Sequence, residues 1–363
     1  MALHAQGRWQ ESEAAHQQAL ALAPADAAVK YNFALTLLFR QEFERTWPLY
    51  HQRCHYPAIR KNLRKGNAEI DFLVSKPART DSDQVGQTAI WAEQGIGDQV
   101  LFSTLIPELI ATKTPFVYEV DRRLLGAYQR AFPAARFVAQ ERPLNEALER
   151  AEYGLAAGSL PGLFRRSRES FSRQSSRLLS ALPELKAHYR SRMDALGHGL
   201  KVALSWRSTR GGGQGMNKSA SLLQFAPLFD LENVDFVDVQ YGDTRDERSE
   251  LERVHEAGIL HFDEIDYYQD LEKMLAVLDA CDLLITTSNA NAHFAGALGK
   301  PVWLLYLADK PPFHYWVHDG SGRCLWYPSV EIVSALQFHE WSQLAGHVKE
   351  RLGRDAARFG RCA

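Results

Sequence analysis

The sequence predicts an α/β protein with two Rossmann-like domains and a short helical N-terminal region. From residue 88 onward, short apolar runs alternate with helical patterns, which is typical of a parallel, doubly wound sheet. A second series of such runs begins at Lys201, which indicates a second sheet. Residues 1–56 show only helical patterns. We therefore predict helices over 1–56, a connector over 57–86, and Rossmann-like domains over 87–198 and 199–363.

Composition limits the classes of function. The chain has 363 residues, 45% of them hydrophobic, and a formal net charge of −2. This length suffices for two domains, and the near-zero charge disfavours a dedicated nucleic-acid-binding protein. No apolar run is long enough to span a membrane, and the first residues lack the apolar segment of a signal peptide, so we expect a cytoplasmic protein. No CxxC pair occurs, which predicts neither a zinc site nor a disulfide framework among Cys54, Cys281, Cys324 and Cys362.

The average charge conceals two segments of opposite sign. Residues 160–192 hold eight basic and two acidic residues, whereas residues 230–272 hold fifteen acidic and three basic ones. The basic segment is open to two interpretations: a solvated helix face, or a surface that attracts an anionic ligand or a membrane. The acidic segment is expected to be solvated surface.

The N-terminal helices show a weak internal repeat. Small and apolar residues recur at helical spacing over 7–24, Pro24 ends this helix, and Asp26 can cap the next one. A similar module follows over 41–54, about 34 residues later, and the pair resembles a tetratricopeptide repeat. The alternative is an ordinary helical hairpin that packs against the next domain.

Each predicted sheet is placed by its apolar runs. The first sheet is predicted from strands at 88–92, 116–120, 136–138 and 154–157. The second is predicted from strands at 202–206, 236–240, 259–261, 283–287 and 302–307, with helices at 248–257, 271–280, 291–298 and 341–352. Ligands of such sheets bind beyond the carboxyl ends of the strands, so the loops that follow strands are the candidate sites.

The first candidate loop is AIWAEQGIGDQVLF, residues 89–102. Gly95 and Gly97 permit close backbone approach, and Asp98 lies where a helix begins, which is a place that attracts anions. Asp98 is also open to interpretation as a helix cap. The third glycine of the dinucleotide fingerprint is missing, which argues against NAD binding.

The second loop is SWRSTRGGGQGMNKS, residues 205–219. It places Arg207, Arg210 and Lys218 around a glycine-rich stretch that could neutralise a diphosphate. Asn217 stands where a P-loop has glycine, so a P-loop ATPase is disfavoured. A solvated loop is the alternative.

The third loop lies in ITTSNANAHFAGALGKPVWLLY, residues 285–306. Ser288 and Asn289 are good helix caps, and His293 lies about one turn further on, within reach of a phosphate or ribose oxygen. A lone histidine beside apolar residues is also open to a purely structural interpretation.

Taken in order, these segments resemble bacterial glycosyltransferases of the heptosyltransferase type, in the group where tetratricopeptide repeats precede the catalytic part. The resemblance covers roughly residues 7–345. It is carried by EQGIGDQVLF, SWR, FVDVQYGD, DLEKMLAVLDACDLLIT, SNANAHFAGALGKPVWLL and LWYPSVEIV. It implies the GT-B fold, in which two Rossmann-like domains face a cleft.

The resemblance also implies roles for individual residues. Asp98 becomes the base that activates the acceptor, and direct attack implies inversion at the anomeric carbon. No metal and no cofactor are expected, because cationic side chains and helix dipoles would stabilise the leaving diphosphate. Relatives often carry Asp-Thr where this chain has Ser288-Asn289. The predicted donor-binding residues are Gly95, Gly97, Ser205, Arg207, Lys218, Gln240, Tyr241, Ser288, Asn289 and His293.

The predicted partners are a nucleotide-sugar donor and a saccharide or protein acceptor. The TPR-like helices favour a protein acceptor, because stacked helices form concave binding surfaces, and protein O-glycosylation is one form of this hypothesis. Peripheral membrane contact stays open. The alternative from another class is a non-catalytic scaffold or binding module in envelope or flagellar assembly. Metal binding by His51, Cys54 and His55 is disfavoured, because no carboxylate or second cysteine joins them.

Overall fold

The computed structural model describes residues 3, 8–63, 72–77, 86–208, 218–307, 313–334 and 338–359. The chain divides into two compact units, Met1–Ser175 and Ser176–Ala363. This division comes before the boundary predicted between 198 and 199, because the helix Pro183–Leu196 packs against the helix Leu271–Ala280 of the second unit. The N-terminal helices and the first sheet belong to one unit.

The first unit begins with helices. They are α1 (Trp9–Leu22), α2 (Ala27–Phe39), α3 (Phe43–His51), a 3-10 turn (Gln52–Cys54) and α4 (Pro57–Leu63). The predicted cap is confirmed, since Asp26 Oδ1 accepts hydrogen bonds from the backbone N–H of Ala28 (2.7 Å) and Val29 (3.1 Å). Helix α1 packs on α2, and α2 packs on α3. This arrangement suits both a repeat and a helical hairpin, so the tetratricopeptide assignment stays a prediction.

The first sheet is parallel, as predicted, and has the strand order β3-β2-β1-β4. Every residue of β1 and β2 is buried, which is typical of parallel strands covered on both faces. The strands are β1 (Thr88–Trp91), β2 (Phe116–Val120), β3 (Arg136–Ala139) and β4 (Tyr153–Ala156). The helices are α5 (Ile96–Ser103), α6 (Ile106–Ala111), α7 (Leu125–Ala131), α8 (Glu146–Glu149) and α9 (Pro161–Phe164).

The second sheet is also parallel, with the order β6-β5-β7-β8-β9. Its strands are β5 (Leu200–Ser205), β6 (Val234–Asp238), β7 (Leu283–Thr286), β8 (Val302–Tyr306) and β9 (Val330–Ser334). The helices of this unit are α10 (Pro183–Leu196), α11 (Arg245–His255), α12 (Leu271–Ala280), α13 (Ala290–Ala297) and α14 (Trp341–Phe359), and a 3-10 helix spans Leu222–Asp230.

One strand prediction in this unit was wrong, and one strand was missed. The predicted strand at 259–261 is a single bridge between Val237 and Leu260, because only Leu260 exchanges backbone hydrogen bonds with β6. Strand β9 was not predicted. It is a short edge strand in which Val330 and Ile332 are buried while Glu331 is not, and so brief an alternation gives a weak sequence signal.

The basic segment over 160–192 is largely neutralised within its own unit. Six of its eight basic side chains form ion pairs: Arg165 with Glu108, Arg166 with Glu44, Arg177 and Lys186 with Asp279, Arg190 with Asp282, and Arg192 with Glu264. This pairing favours a structural role over the attraction of an anionic ligand or membrane. In the described part of the chain, no helix combines the length and apolar character needed to cross a membrane.

Candidate functional site

In the second unit, the chain reverses direction across the sheet beside β5. Strand β6 lies on one side of β5 and β7 on the other, so the carboxyl ends of β5 and β7 form the topological switch point where such sheets bind ligands. Ser205 ends β5, and Asn289 follows β7 as the N-cap of α13. The structure brings them together, since Asn289 Nδ2 donates to Ser205 Oγ at 2.9 Å.

Gln240 holds the backbone that leads to Arg207. Its Oε1 accepts from the N–H of Trp206 and of Arg207, both at 2.9 Å, and from the Ser205 hydroxyl at 3.2 Å. Its side-chain amide donates to the carbonyl of Tyr241. These hydrogen bonds fix the direction in which the chain leaves β5.

Asn289 and Asn291 tie the start of α13 to the same point. Asn289 Oδ1 caps the N–H of Asn291 (3.0 Å), and its Nδ2 also donates to Thr286 Oγ1 (3.0 Å). Asn291 Nδ2 donates to Ser205 Oγ (3.2 Å) and to the carbonyl of Val239 (2.7 Å). Sequence reasoning missed Asn291, although an asparagine two positions after a cap residue was a usable signal. The helix N-terminus is thereby fixed at the switch point.

The predicted contact residues differ in how much surface they expose. Ser205 and Gln240 are fully buried, and Asn289 is 6% exposed, so these side chains shape the crevice. Arg207 and Lys218 are half-buried and carry the positive charge beside it. Arg210 lies outside the described residues.

Arg207 is held in place by an acidic partner. Its Nη2 donates to the carbonyl of Asp243 (2.7 Å), and its Nη1 lies 3.2 Å from Glu247 Oε2. The other carboxylate oxygen of Glu247 accepts from Trp206 Nε1 at 2.7 Å. Glu247 was not predicted, because it lies on α11 far along the chain from Arg207. The guanidinium is thus positioned at the end of β5, where it can form paired hydrogen bonds with a phosphate.

His293 lies inside an aromatic cluster. Its ring stacks on Trp316 at 4.5 Å, and its Nδ1 lies 3.2 Å from the hydroxyl of Tyr327. Trp316 Nε1 donates to Ser288 Oγ at 3.0 Å, so Ser288 is also engaged by this cluster. Burial and, to a smaller extent, the charge of Lys218 lower the pKa of His293 to about 3. A neutral, buried ring favours the structural interpretation of His293 over a charged phosphate contact.

Stability is expected to decrease in acid because of His293. The pKa of an unfolded imidazole is about 6.5, whereas burial lowers that of His293 in the folded protein to about 3. The stability from its neutral form is fully present above pH ~6.5 and is lost as the pH falls toward ~3. His293→Phe cannot protonate and should remove up to about 1.4 kcal/mol per pH unit of this dependence. Urea unfolding at about pH 7 and about pH 5 gives the free energy of unfolding of the unaltered protein and of His293→Phe. An equal change with pH in both proteins would contradict the assignment.

In the first unit, Asp98 lies at the N-terminus of α5. Gly95 is the N-cap, and its N–H donates to Asp98 Oδ2 at 3.0 Å. Gly97 lies in the first turn of the helix, and Asp98 is half-buried. Asp98 therefore supplies the carboxylate half of a capping box, since a glycine N-cap has no side chain to complete it. Gly95 and Gly97 lie in this unit, whereas the other predicted donor-binding residues lie in the second.

A buried ion pair occupies the switch point of the first sheet, beside β1 and β4. Glu93 follows β1 and accepts from Arg53 Nε at 2.9 Å, from Arg53 Nη2, and from the N–H of Gly158 at 2.7 Å. Arg53 Nη2 also donates to Ser159 Oγ at 3.1 Å, just beyond β4. Both charged side chains are fully buried. The N-terminal helical region thus places Arg53 at the switch point of the first sheet, a contact that sequence reasoning missed.

No metal ligand set is visible in the parts of the chain that the structure describes. No group of three or more His, Cys, Asp or Glu side chains converges there. The rings of His51 and His55 lie 6.4 Å apart, and Cys54 is buried. The expected absence of metal and cofactor stays a prediction.

No protein-family model matches this chain. It is 30% identical to protein FlbA of Caulobacter vibrioides over 282 residues, which cover 74% of this chain and 46% of FlbA. The chain therefore spans about half the length of that curated relative.

The solved structures that are similar to this one include two glycosyltransferases. A family 9 glycosyl transferase from Veillonella parvula has a TM-score of 0.55 and 11% identity, over 75% of this chain and 97% of that one. The ADP-heptose LPS heptosyltransferase II of E. coli has a TM-score of 0.51 and 12% identity, over 75% and 99%. These likenesses show the fold, which is the α/β fold with parallel sheets of these GT-B glycosyltransferases.

Proposed function

We propose that this protein is a metal-independent glycosyltransferase that moves a sugar from a nucleotide-sugar donor to a hydroxyl group, with inversion at the anomeric carbon. The observation that carries the proposal is the convergence at one switch point of the N-terminus of α13 and the positioned guanidinium of Arg207. Both features favour a diphosphate. The glycosyltransferase fold of the two similar structures supports the same assignment.

Each predicted site residue has a role in this proposal. Asp98 accepts the proton of the acceptor hydroxyl as a general base. Arg207, Lys218 and the start of α13 bind the donor diphosphate and stabilise the charge that develops on it as it leaves. Gln240 and Asn289 hold these groups in position. The proposal includes a cytoplasmic location, where a nucleotide-sugar is available, and an acceptor that is a saccharide or a protein.

A non-catalytic scaffold is the second candidate function. The observation that favours it is the internal satisfaction of the switch-point network, in which Ser205, Gln240 and Asn291 bond to one another or to neighbouring backbone. Such a network supports a fold whether or not a ligand binds.

Nucleotide binding separates the two functions. UDP, GDP, ADP and CMP are each added at millimolar concentration, and the melting temperature is measured. One of the nucleoside diphosphates should clearly raise the melting temperature of a transferase. A ligand present at a hundredfold its Kd stabilises the folded protein by about 2.7 kcal/mol. Arg207→Gln should remove this stabilisation, while Arg253→Gln, on the exposed side of α11, should retain it. No shift with any nucleotide would favour the scaffold.

A further inference from the structure

The N-terminal helices bring three tyrosines next to the loop that carries Asp98. These residues, which we call the tyrosine cluster, are Tyr31, Tyr50 and Tyr56. The ring centroids of Tyr31 and Tyr50 lie 5.7 Å apart, and those of Tyr31 and Tyr56 lie 6.1 Å apart. The Tyr50 hydroxyl accepts from Gln94 Nε2 at 3.3 Å. Gln94 has a left-handed backbone (φ 62°) and directly precedes the N-cap Gly95. The tyrosine cluster is therefore connected to the base-bearing loop through Gln94.

No described residue forms a hydrogen bond with the Tyr31 hydroxyl, although the residue is only 8% exposed. Tyr50, by contrast, is bonded to Gln94. The hydroxyl is thus available to a bound molecule.

The surroundings of Tyr31 determine the protonation state of its hydroxyl. Burial raises the pKa of Tyr31 to about 12; the Arg53 charge opposes this increase, while the Asp98 and Glu93 charges add to it. Glu93 is neutralised by its ion pair with Arg53. The phenol therefore stays protonated near neutral pH and can donate a hydrogen bond beside the loop that carries Asp98, to which Tyr50 and Gln94 connect it.

We propose that Tyr31 binds the acceptor by donating a hydrogen bond to the oxygen whose proton Asp98 removes. This inference rests on the proposed function and names the ligand of that site as an alcohol, either a sugar hydroxyl or a serine or threonine side chain. The acceptor O–H bond breaks and its proton passes to Asp98. The acceptor oxygen bonds to the anomeric carbon, and the bond from that carbon to the diphosphate breaks, with its electron pair leaving on the diphosphate.

This assignment gives the N-terminal helices a part in the reaction. Tyr31 lies on α2, and the Arg53–Glu93 ion pair joins the same helical region to the end of β1. The helices and the loop carrying Asp98 are therefore held in one geometry, as a substrate-binding residue and its base require. The first unit would be incomplete as an acceptor site without them.

The test compares Tyr31→Phe with a matched control. Tyr118→Phe is the control, because Tyr118 is a buried tyrosine of β2 in the same unit and its hydroxyl has no partner either. Nucleotide diphosphate release is measured from UDP-N-acetylglucosamine, GDP-mannose and ADP-glucose. The acceptor probes are methyl glycosides in one arm and N-acetylserine amide in the other, which distinguishes the two sources of the hydroxyl.

Tyr31→Phe should raise the KM for the acceptor by about 3- to 10-fold, the effect of one lost hydrogen bond. The KM for the donor and the stabilisation by nucleotide diphosphate should stay within about twofold of the unaltered protein, and Tyr118→Phe should change none of these. An unchanged acceptor KM, even with a lower melting temperature, would overturn the proposal and assign Tyr31 to folding alone. No release by the unaltered protein with any pair would instead refute the transferase function, and this site with it.

Discussion

Asp98→Asn is expected to reduce turnover by about 10²- to 10⁴-fold, the usual contribution of a general base. An asparagine cannot take up the acceptor proton, but its side-chain oxygen can still accept the hydrogen bond that Gly95 N–H donates to Asp98. The capping box of α5 should therefore persist, and the protein should stay folded. Because Arg207 and Asn289, to which we assign the donor site in the proposed function, lie in the other unit, nucleotide affinity should be unchanged.

Asp26→Asn is the matched control for this substitution. Asp26 caps α2 in the same unit through two backbone hydrogen bonds, and asparagine is an equally good cap. Steady-state release of nucleotide diphosphate and the nucleotide-induced melting shift are measured for both variants. Full activity of Asp98→Asn would contradict the assignment of the base. Loss of turnover and nucleotide binding together would show instead that Asp98 supports the structure.

Most elements of the fold were predictable, because local patterns specify them. Helix α12 was predicted at both ends, since an apolar face repeats between Leu271 and Ala280. The buried runs of β1, β2, β5, β7 and β8 are continuous and apolar, which is why each was placed to within two residues. Strand β9 was missed because the pairing of an edge strand depends on its neighbour β8 rather than on its own short pattern.

The candidate site was predictable only in part. The rule that ligands bind beyond strand ends and the family resemblance together identified Ser205, Gln240 and Asn289, which the structure brings together. Their partners could not be predicted in the same way. Glu247 reaches Trp206 from α11, and a pairing between such distant positions is set by the packing of the helix on the sheet. Local sequence patterns do not predict that packing.

The N-terminal region shows the same limit on a larger scale. Its helices were predicted from periodicity and the Asp26 cap, and their packing against the next domain was only one of two alternatives. The structure places them in one compact unit with the first sheet. Trp47 Nε1 donates to the carbonyl of Arg165 at 2.6 Å, and Arg53 is paired with Glu93. A helical region joined to the sheet by buried polar contacts is part of that unit's core. We therefore expect the Arg53–Glu93 ion pair to contribute strongly to the free energy of unfolding.

Arg53→Met should therefore reduce the free energy of unfolding by about 3–5 kcal/mol, because it leaves the Glu93 carboxylate buried without its counter-charge. The double variant Arg53→Met/Glu93→Leu should recover part of this loss, since no isolated charge then remains. Recovery should be incomplete, because the N–H of Gly158 and the hydroxyl of Ser159 lose their bonds to the pair. Urea unfolding of the single and double variants measures these differences.

Arg150→Met is the control that separates the effect of burial from the loss of an ion pair as such. Arg150 pairs with Glu146 one helical turn away, and both side chains are largely exposed, so its removal should change the free energy of unfolding by less than about 0.5 kcal/mol. A loss below about 1 kcal/mol for Arg53→Met would contradict a stabilising role of the buried pair. A double variant less stable than the single one would mean that Glu93 stabilises the unit mainly through Gly158, independently of Arg53. The sign of that difference therefore decides whether Glu93 stabilises the unit mainly through Arg53 of the helical region or through the N–H of Gly158.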